Sequence, residues 1–319
     1  MANISLTTVK YYIGVTDNTW YSFLAQKNRD DVNFWQPGGN KVFRALPPGG
    51  PFLFKLKSPV NAIGGLGFFS SHTFLPLSMA WEVFGEGNGS STLSQLSRMI
   101  SDYRNDGLGN PTIGCIVLTN PIFFDKSDWI GIPENWSRNI MQGKAYSTQD
   151  RIGAELWSKV ENLLQNYLPV APEKKTSQLI VEEEAAGYGN PFLTRIRLGQ
   201  SAFRMLVTDA YNRRCTISGE KTLPVLEAAH IKSYAESGPH VVSNSLLLRS
   251  DLHRLFDAGY LTITTDLKVE ISKRIKEEFE NGREYYKFHG NNISNLPNRG
   301  LDLPARNYVL WHNENVYLD

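Results

Sequence analysis

Cysteine is scarce: Cys115 and Cys215 are the two present in 319 residues. Neither has a second cysteine at metal-ligand spacing, which excludes a disulfide framework and a four-cysteine zinc site and favours a reducing, cytoplasmic setting. A charge excess is also missing, because 33 Lys and Arg against 32 Asp and Glu leave a formal charge of +1. Any contact with nucleic acid must therefore come from local clusters rather than bulk charge. Residues 58–81 carry no formal charge, yet they hold Pro59, Gly64, Gly65, Gly67, His72 and Pro76. That composition is wrong for a membrane span. The start, MANISLTTVKYY, has no basic stretch leading into an apolar one, so no secretory signal is expected.

What is present divides in two. Six of the seven Trp, eleven of the sixteen Phe and seventeen of the twenty-six Gly precede residue 160. Short apolar and aromatic runs there, such as 51–56 and 113–118, lie between Gly, Pro and Asn turns and predict strands. Residues 150–168 place Ile152, Leu156, Val160, Leu163, Leu164 and Tyr167 on one helical face and close a first domain, 1–168. The segment 169–190, with prolines near its ends, a Lys pair and a Glu triplet, predicts a connector, and 191–319 a second domain. The fold class is α+β. Arg197, Arg204 and Arg213 belong to a basic run just after the connector, readable as a solvated helix face or as a DNA-backbone contact.

The chemistry concentrates in LEAAHIKSYAESG (226–238) and NSLLLRSDLHRLFD (244–257). Ser250 predicts an N-cap, Asp251 suits the positive first turn, and Gly259 a C-terminal stop, giving a helix over about 251–258. Leu252, Leu255 and Phe256 would form its buried stripe, leaving His253 and Asp257, one turn apart, to converge elsewhere. Two short apolar segments before it predict a strand pair, with His230 across from the helix. Each histidine taken alone is compatible with an ordinary core or surface role.

The ordered set His230, Asn244 and His253, embedded in AAHI, SNSLLLRSDLH and HRLFD, resembles the His-Asn-His signature of HNH nucleases with the ββα-metal fold. The resemblance extends over roughly 190–290. It implies that His230 is a general base, working neutral with an ordinary pKa near ~6.5. By the same likeness Asn244 ties down the loop between the strands, and His253 and Asp257 ligate a divalent ion, Mg²⁺ or Mn²⁺ by preference, with Ni²⁺ or Zn²⁺ admitted by mixed N/O ligation. Two departures stand out. Ala229 occupies the place where many relatives carry a further metal ligand, and Glu227, two residues along the strand, is displaced by roughly 6–7 Å. Cys215 and Ser218 stand where relatives begin a zinc-binding cysteine pair, so no structural zinc is expected.

The first domain, with TVKYYIGVTDNTWYSFL, VNFWQPGG and SMAWEVFGEGNG, resembles an EVE-type domain of the PUA superfamily. This implies a curved β-barrel with helices and an aromatic pocket for a flipped, modified base. Trp20, Trp35 and Trp81 are the candidate cage, with Phe34 and Tyr21 as neighbours and Asn33 or Asn61 as readers of the base edge. Such a reader joined to an HNH module resembles the EVE-HNH modification-dependent restriction endonucleases of prokaryotes. The implied substrate is double-stranded DNA with 5-methylcytosine or 5-hydroxymethylcytosine. Because one site nicks one strand, a homodimer or paired action on DNA is expected. The alternatives are a non-catalytic binder of modified nucleic acid with a degenerate HNH module, and an RNase.

Overall fold

The computed structural model describes residues 8–104, 106–167 and 199–319. The predicted connector 169–190 and Arg197 lie outside the described residues. The chain separates into two compact units, 1–202 and 203–319. Among the described residues no helix is long and apolar enough to cross a membrane.

The first unit is rich in sheet. Its strands are β1 (Lys10–Thr16), β2 (Asp31–Gln36), β3 (Pro51–Leu56), β4 (Ala62–Pro76), β5 (Thr112–Phe123), β6 (Ile130–Gly131) and β7 (Gly143–Ser147). They pair in the order β2-β5-β4-β3-β1-β7, with β6 on β4. All pairs are antiparallel except β1 with β3. The expected barrel is therefore corrected: among the described residues β2 and β7 end the path, and no ladder joins them. The helices are α1 (Asn18–Leu24), α2 (Leu77–Phe84), α3 (Leu93–Ser101) and α4 (Arg151–Tyr167). The stripe predicted for α4 is the one it buries, since Leu156, Val160 and Leu164 pack with Trp157 against Tyr11, Ile13 and Leu53 of the sheet. Asp17 starts α1 by accepting the backbone N–H groups of Thr19 and Trp20 at 2.9 and 3.2 Å.

The second unit begins within α5 (Gln200–Ala210) and continues through the antiparallel pair β8 (Leu226–His230) and β9 (Ser245–Arg249) into α6 (Ser250–Asp257). A hairpin of β10 (Leu261–Ile263) and β11 (Val269–Ile271) follows, then α7 (Arg274–Phe279), α8 (Arg283–Tyr286) and α9 (Arg306–Asn315). One core holds it together, in which Phe203 and Val207 from α5, Leu246 and Leu248 from β9, and Leu252 and Phe256 from α6 are all buried. The N-cap of α6 falls on Arg249, one residue before the Ser250 expected, and the Arg249 guanidinium bonds Asp251 in the first turn at 2.6 and 2.8 Å. Gly259 ends the helix at φ +79°, and a β-carbon there would meet the Val316 carbonyl oxygen at 2.2 Å, so glycine is required twice over.

Candidate nuclease site and aromatic cavity

In the second unit the strand pair presents His230 opposite Ser245, and Glu227 opposite Leu248. Asn244, fully buried, closes the loop between the strands. Its Oδ1 accepts the Lys232 N–H at 2.9 Å, and its Nδ2 donates to the carbonyls of Lys232 and Pro239, both at 3.0 Å. Only an amide offers an acceptor and two donors from one group, which is the chemistry this loop uses.

His230 stands at the end of β8, its ring stacked on Phe203 at 4.3 Å between centroids and set edge-on to His240 at 4.9 Å. Its Nε2 is buried and has no hydrogen-bond partner among the described residues. Burial, with smaller contributions from the charges of His240 and His253, lowers its pKa to about 4. That is below the ordinary imidazole value the resemblance implies, because the phenyl ring and the second imidazole cover part of the surface from which water would solvate a charged ring. His253 is near enough to His230 for their charges to interact.

On α6 His253 is held on both ring nitrogens. Nε2 lies 3.2 Å from Asp257 Oδ2, one turn on, as the spacing predicts. Nδ1 lies 2.7 Å from Glu227 Oε2. Glu227 does not take the ligand place left by Ala229, but because α6 packs across β8 its side chain reaches the other nitrogen of the His253 ring. Sequence reasoning misses Glu227 for this reason, and the Glu-x-x-His spacing before His230 is the available signal.

These residues fit a divalent ion in part. Two atoms bound to one ion at about 2.1–2.2 Å stand about 3.0–3.1 Å apart at a right angle and slightly farther as the angle opens. The separation of His253 Nε2 and Asp257 Oδ2 matches that edge without rearrangement. Among the described residues there is no group of three or more His, Cys, Asp or Glu side chains set to hold a metal ion. The pair is two of the six positions of an octahedral ion, which suits an ion that completes its shell with water and phosphate oxygen. A proton on Nδ1, donated to Glu227, would leave the Nε2 lone pair facing Asp257 and available.

Arg204 reaches the Leu226 carbonyl at 3.5 Å, and Arg213, at φ +56°, pairs with Asp209 at 3.3 Å. Cys215 is buried and its sulfur accepts the N–H groups of Ser218 and Arg249 at 3.4 and 3.3 Å. His312 stacks on Phe256 and bonds its carbonyl, a role in packing.

In the first unit a cavity of about 1010 Å³ opens against the sheet, lined by Tyr12, Trp20, Phe34, Trp35, Phe52 and Trp136 among others. Trp20 and Trp35 are thus in its wall, each anchored through the indole N–H, to the Asn33 and Asn88 carbonyls at 3.1 and 3.0 Å. Trp81, on α2, does not line it, nor does Tyr21, whose hydroxyl donates to the Gly64 and Phe124 carbonyls. Asn61 lines the cavity, whereas Asn33 is buried behind it against Asn88 and Cys115.

Comparison with known proteins agrees with the chemistry of the second unit. Residues 215–264 match the family model described as HNH endonuclease. No curated protein sequence matches the chain. Among solved structures, a point mutant of the ASCH protein from Zymomonas mobilis aligns over 48% of this chain and 96% of its own, at 10% identity and TM-score 0.30. The crystal structure of ASCH itself from that organism aligns over 47% and 94% at 11% identity and TM-score 0.31. The modification-dependent TagI restriction endonuclease aligns over 92% of this chain and 79% of its own, at 15% identity and TM-score 0.29. These superpositions are loose and assign no residue a role. The chain carries an HNH endonuclease domain at residues 215–264.

Proposed function

We propose that the chain is a metal-dependent DNA endonuclease directed by a modified base. The observation that carries the reading is the presence together, inside the HNH-matched segment, of a half-buried imidazole at His230, whose Nε2 has no hydrogen-bond partner among the described residues, and a His253–Asp257 edge of ligand-to-ligand dimensions. A divalent ion bound at that edge would supply charge neutralisation for the scissile phosphate and the departing 3′ oxygen. His230 takes a proton from the attacking water as its oxygen bonds to phosphorus and the P–O3′ bond breaks. Asn244 holds the loop that aims His230. Arg204 and Arg213 are the proposed backbone contacts. Mg²⁺ or Mn²⁺ fits the mixed nitrogen and carboxylate donors.

The aromatic cavity is the proposed reader of 5-methylcytosine or 5-hydroxymethylcytosine, with Trp20, Trp35 and Phe34 replacing the stacking that an extruded base gives up. Two copies acting together would sever both strands. One observation favours a second reading, a binder without turnover: Ala229 offers no ligand, and the ligand set among the described residues is short. Digestion of otherwise identical plasmids, unmodified or carrying each cytosine modification, in Mg²⁺, Mn²⁺ or chelator separates the two. The nuclease cuts the modified plasmids with metal only; retention of DNA without cutting in every ion would establish the binder.

A further inference from the structure

The cavity carries a charge that its own wall does not answer. Its charged side chains are Asp17, Lys55, Lys57 and Arg138. Asp17 is committed to Lys57, at 3.2 Å, and to the Tyr103 hydroxyl at 2.8 Å. Lys55, on β3, is only 6% exposed. Its ammonium donates to Asn61 Oδ1 at 2.9 Å and lies 5.7 Å from the centre of the Trp136 ring, with no carboxylate paired to it among the described residues. Asn61 is itself held at φ +47°, a backbone conformation asparagine tolerates better than most side chains. An amide oxygen and a ring face are weak compensation for an ammonium withdrawn from water. Burial accordingly lowers the lysine's affinity for its proton. A site built this way gains most from a ligand that brings the missing negative oxygen with it.

We propose that Lys55 makes the cavity selective for a nucleotide that presents an anionic oxygen to it, either on an oxidised base substituent, such as a carboxyl at the cytosine 5-position, or on the nucleotide's phosphate. This rests on the reading of the cavity as a nucleotide pocket, and it goes further by ranking ligands: a methyl group alone leaves the ammonium unanswered. The aromatic wall takes the base, and Lys55 with Asn61 takes the oxygen.

The test is calorimetric binding of free 5-methyldeoxycytidine, 5-carboxydeoxycytidine and the 5′-monophosphate of the former to the full chain, compared with Lys55→Met and Lys55→Gln. The expected result is at least tenfold tighter binding of one anionic ligand than of the methyl nucleoside, with the advantage lost in both variants. An advantage of the carboxyl nucleoside places the anion on the base, and an advantage of the monophosphate places it on the phosphate. Lys55→Met should melt no lower than the parent chain, since methionine fills the same volume without a buried charge. A ranking unchanged in folded Lys55→Met, or a clear fall in its melting temperature, overturns the inference while leaving the pocket intact. Failure of all three ligands to bind the parent chain overturns the pocket reading as well.

Discussion

The lowered pKa of His230 makes a numerical prediction. Protonation of the imidazole removes the base, so activity tracks its neutral fraction. With an ordinary pKa near ~6.5, about one-tenth of the rings would be neutral at pH 5.5, and kcat/KM would fall roughly tenfold from its value at pH 7.5. With the pKa at about 4 that the burial against Phe203 and His240 imposes, the ring stays neutral and nearly all activity survives. The same shift acts on stability. The folded chain binds fewer protons than the unfolded chain between the two values, so stability is complete above the unfolded pKa and declines as pH falls toward the folded one. The ring is partly open to solvent, so this contributes about 1–2 kcal/mol rather than the roughly 3 kcal/mol of a fully enclosed group. The assay is plasmid nicking from pH 7.5 to 5, with Mn²⁺ shown to saturate at each point, beside an NMR titration of the His230 ring assigned by His230→Gln. A ring midpoint between pH 6 and 7, with a matching tenfold loss of rate, would refute the argument.

Other consequences are simpler to read. Asp257→Asn should weaken Mn²⁺ binding more than tenfold, and Glu227→Gln by less, because the first replaces an anionic ligand by a neutral amide while the second keeps an oxygen to accept the His253 N–H and removes only the charge behind it; electron paramagnetic titration of free Mn²⁺ measures both without relying on turnover. Asn244→Ala leaves three backbone groups of the 232–239 loop without partners and should cost about 2–4 kcal/mol, seen as a lower midpoint in urea. Gly259→Ala should destabilise by more than about 1 kcal/mol, again by denaturant midpoint, because the positive φ and the Val316 carbonyl both oppose a side chain.

The second unit is legible in the sequence wherever the signal is local. Helical spacing puts His253 and Asp257 together, and the apolar segments around them give the two strands that carry His230 and Asn244. The first unit yields strands and the α4 stripe in the same way, while the openness of its sheet depends on whether β2 and β7 meet, a long-range pairing that no local pattern encodes. Glu227 is hidden for a related reason, since its reach depends on how α6 crosses β8. The depressed pKa of His230 comes first from burial, to which the stacked Phe203 ring of α5 contributes, and that packing is set by the fold rather than by local spacing. Lys55 gives no signal at all: a lysine in PFLFKLKSP reads as exposed, and only the folded sheet turns it into the cavity. Trp81 has the composition of a cage residue and sits on a helix away from that wall.

The measurement that bears most directly on the central claim is cleavage of supercoiled plasmid bearing modified cytosine by the intact chain and by His230→Ala, each with Mg²⁺ or Mn²⁺ and with chelator. The account predicts nicked and linear products from the intact chain with metal, none with chelator, and a loss of at least about a hundredfold in the variant while its Mn²⁺ affinity is kept. Cleavage by His230→Ala at the parent rate, or undiminished cleavage in chelator, would contradict it.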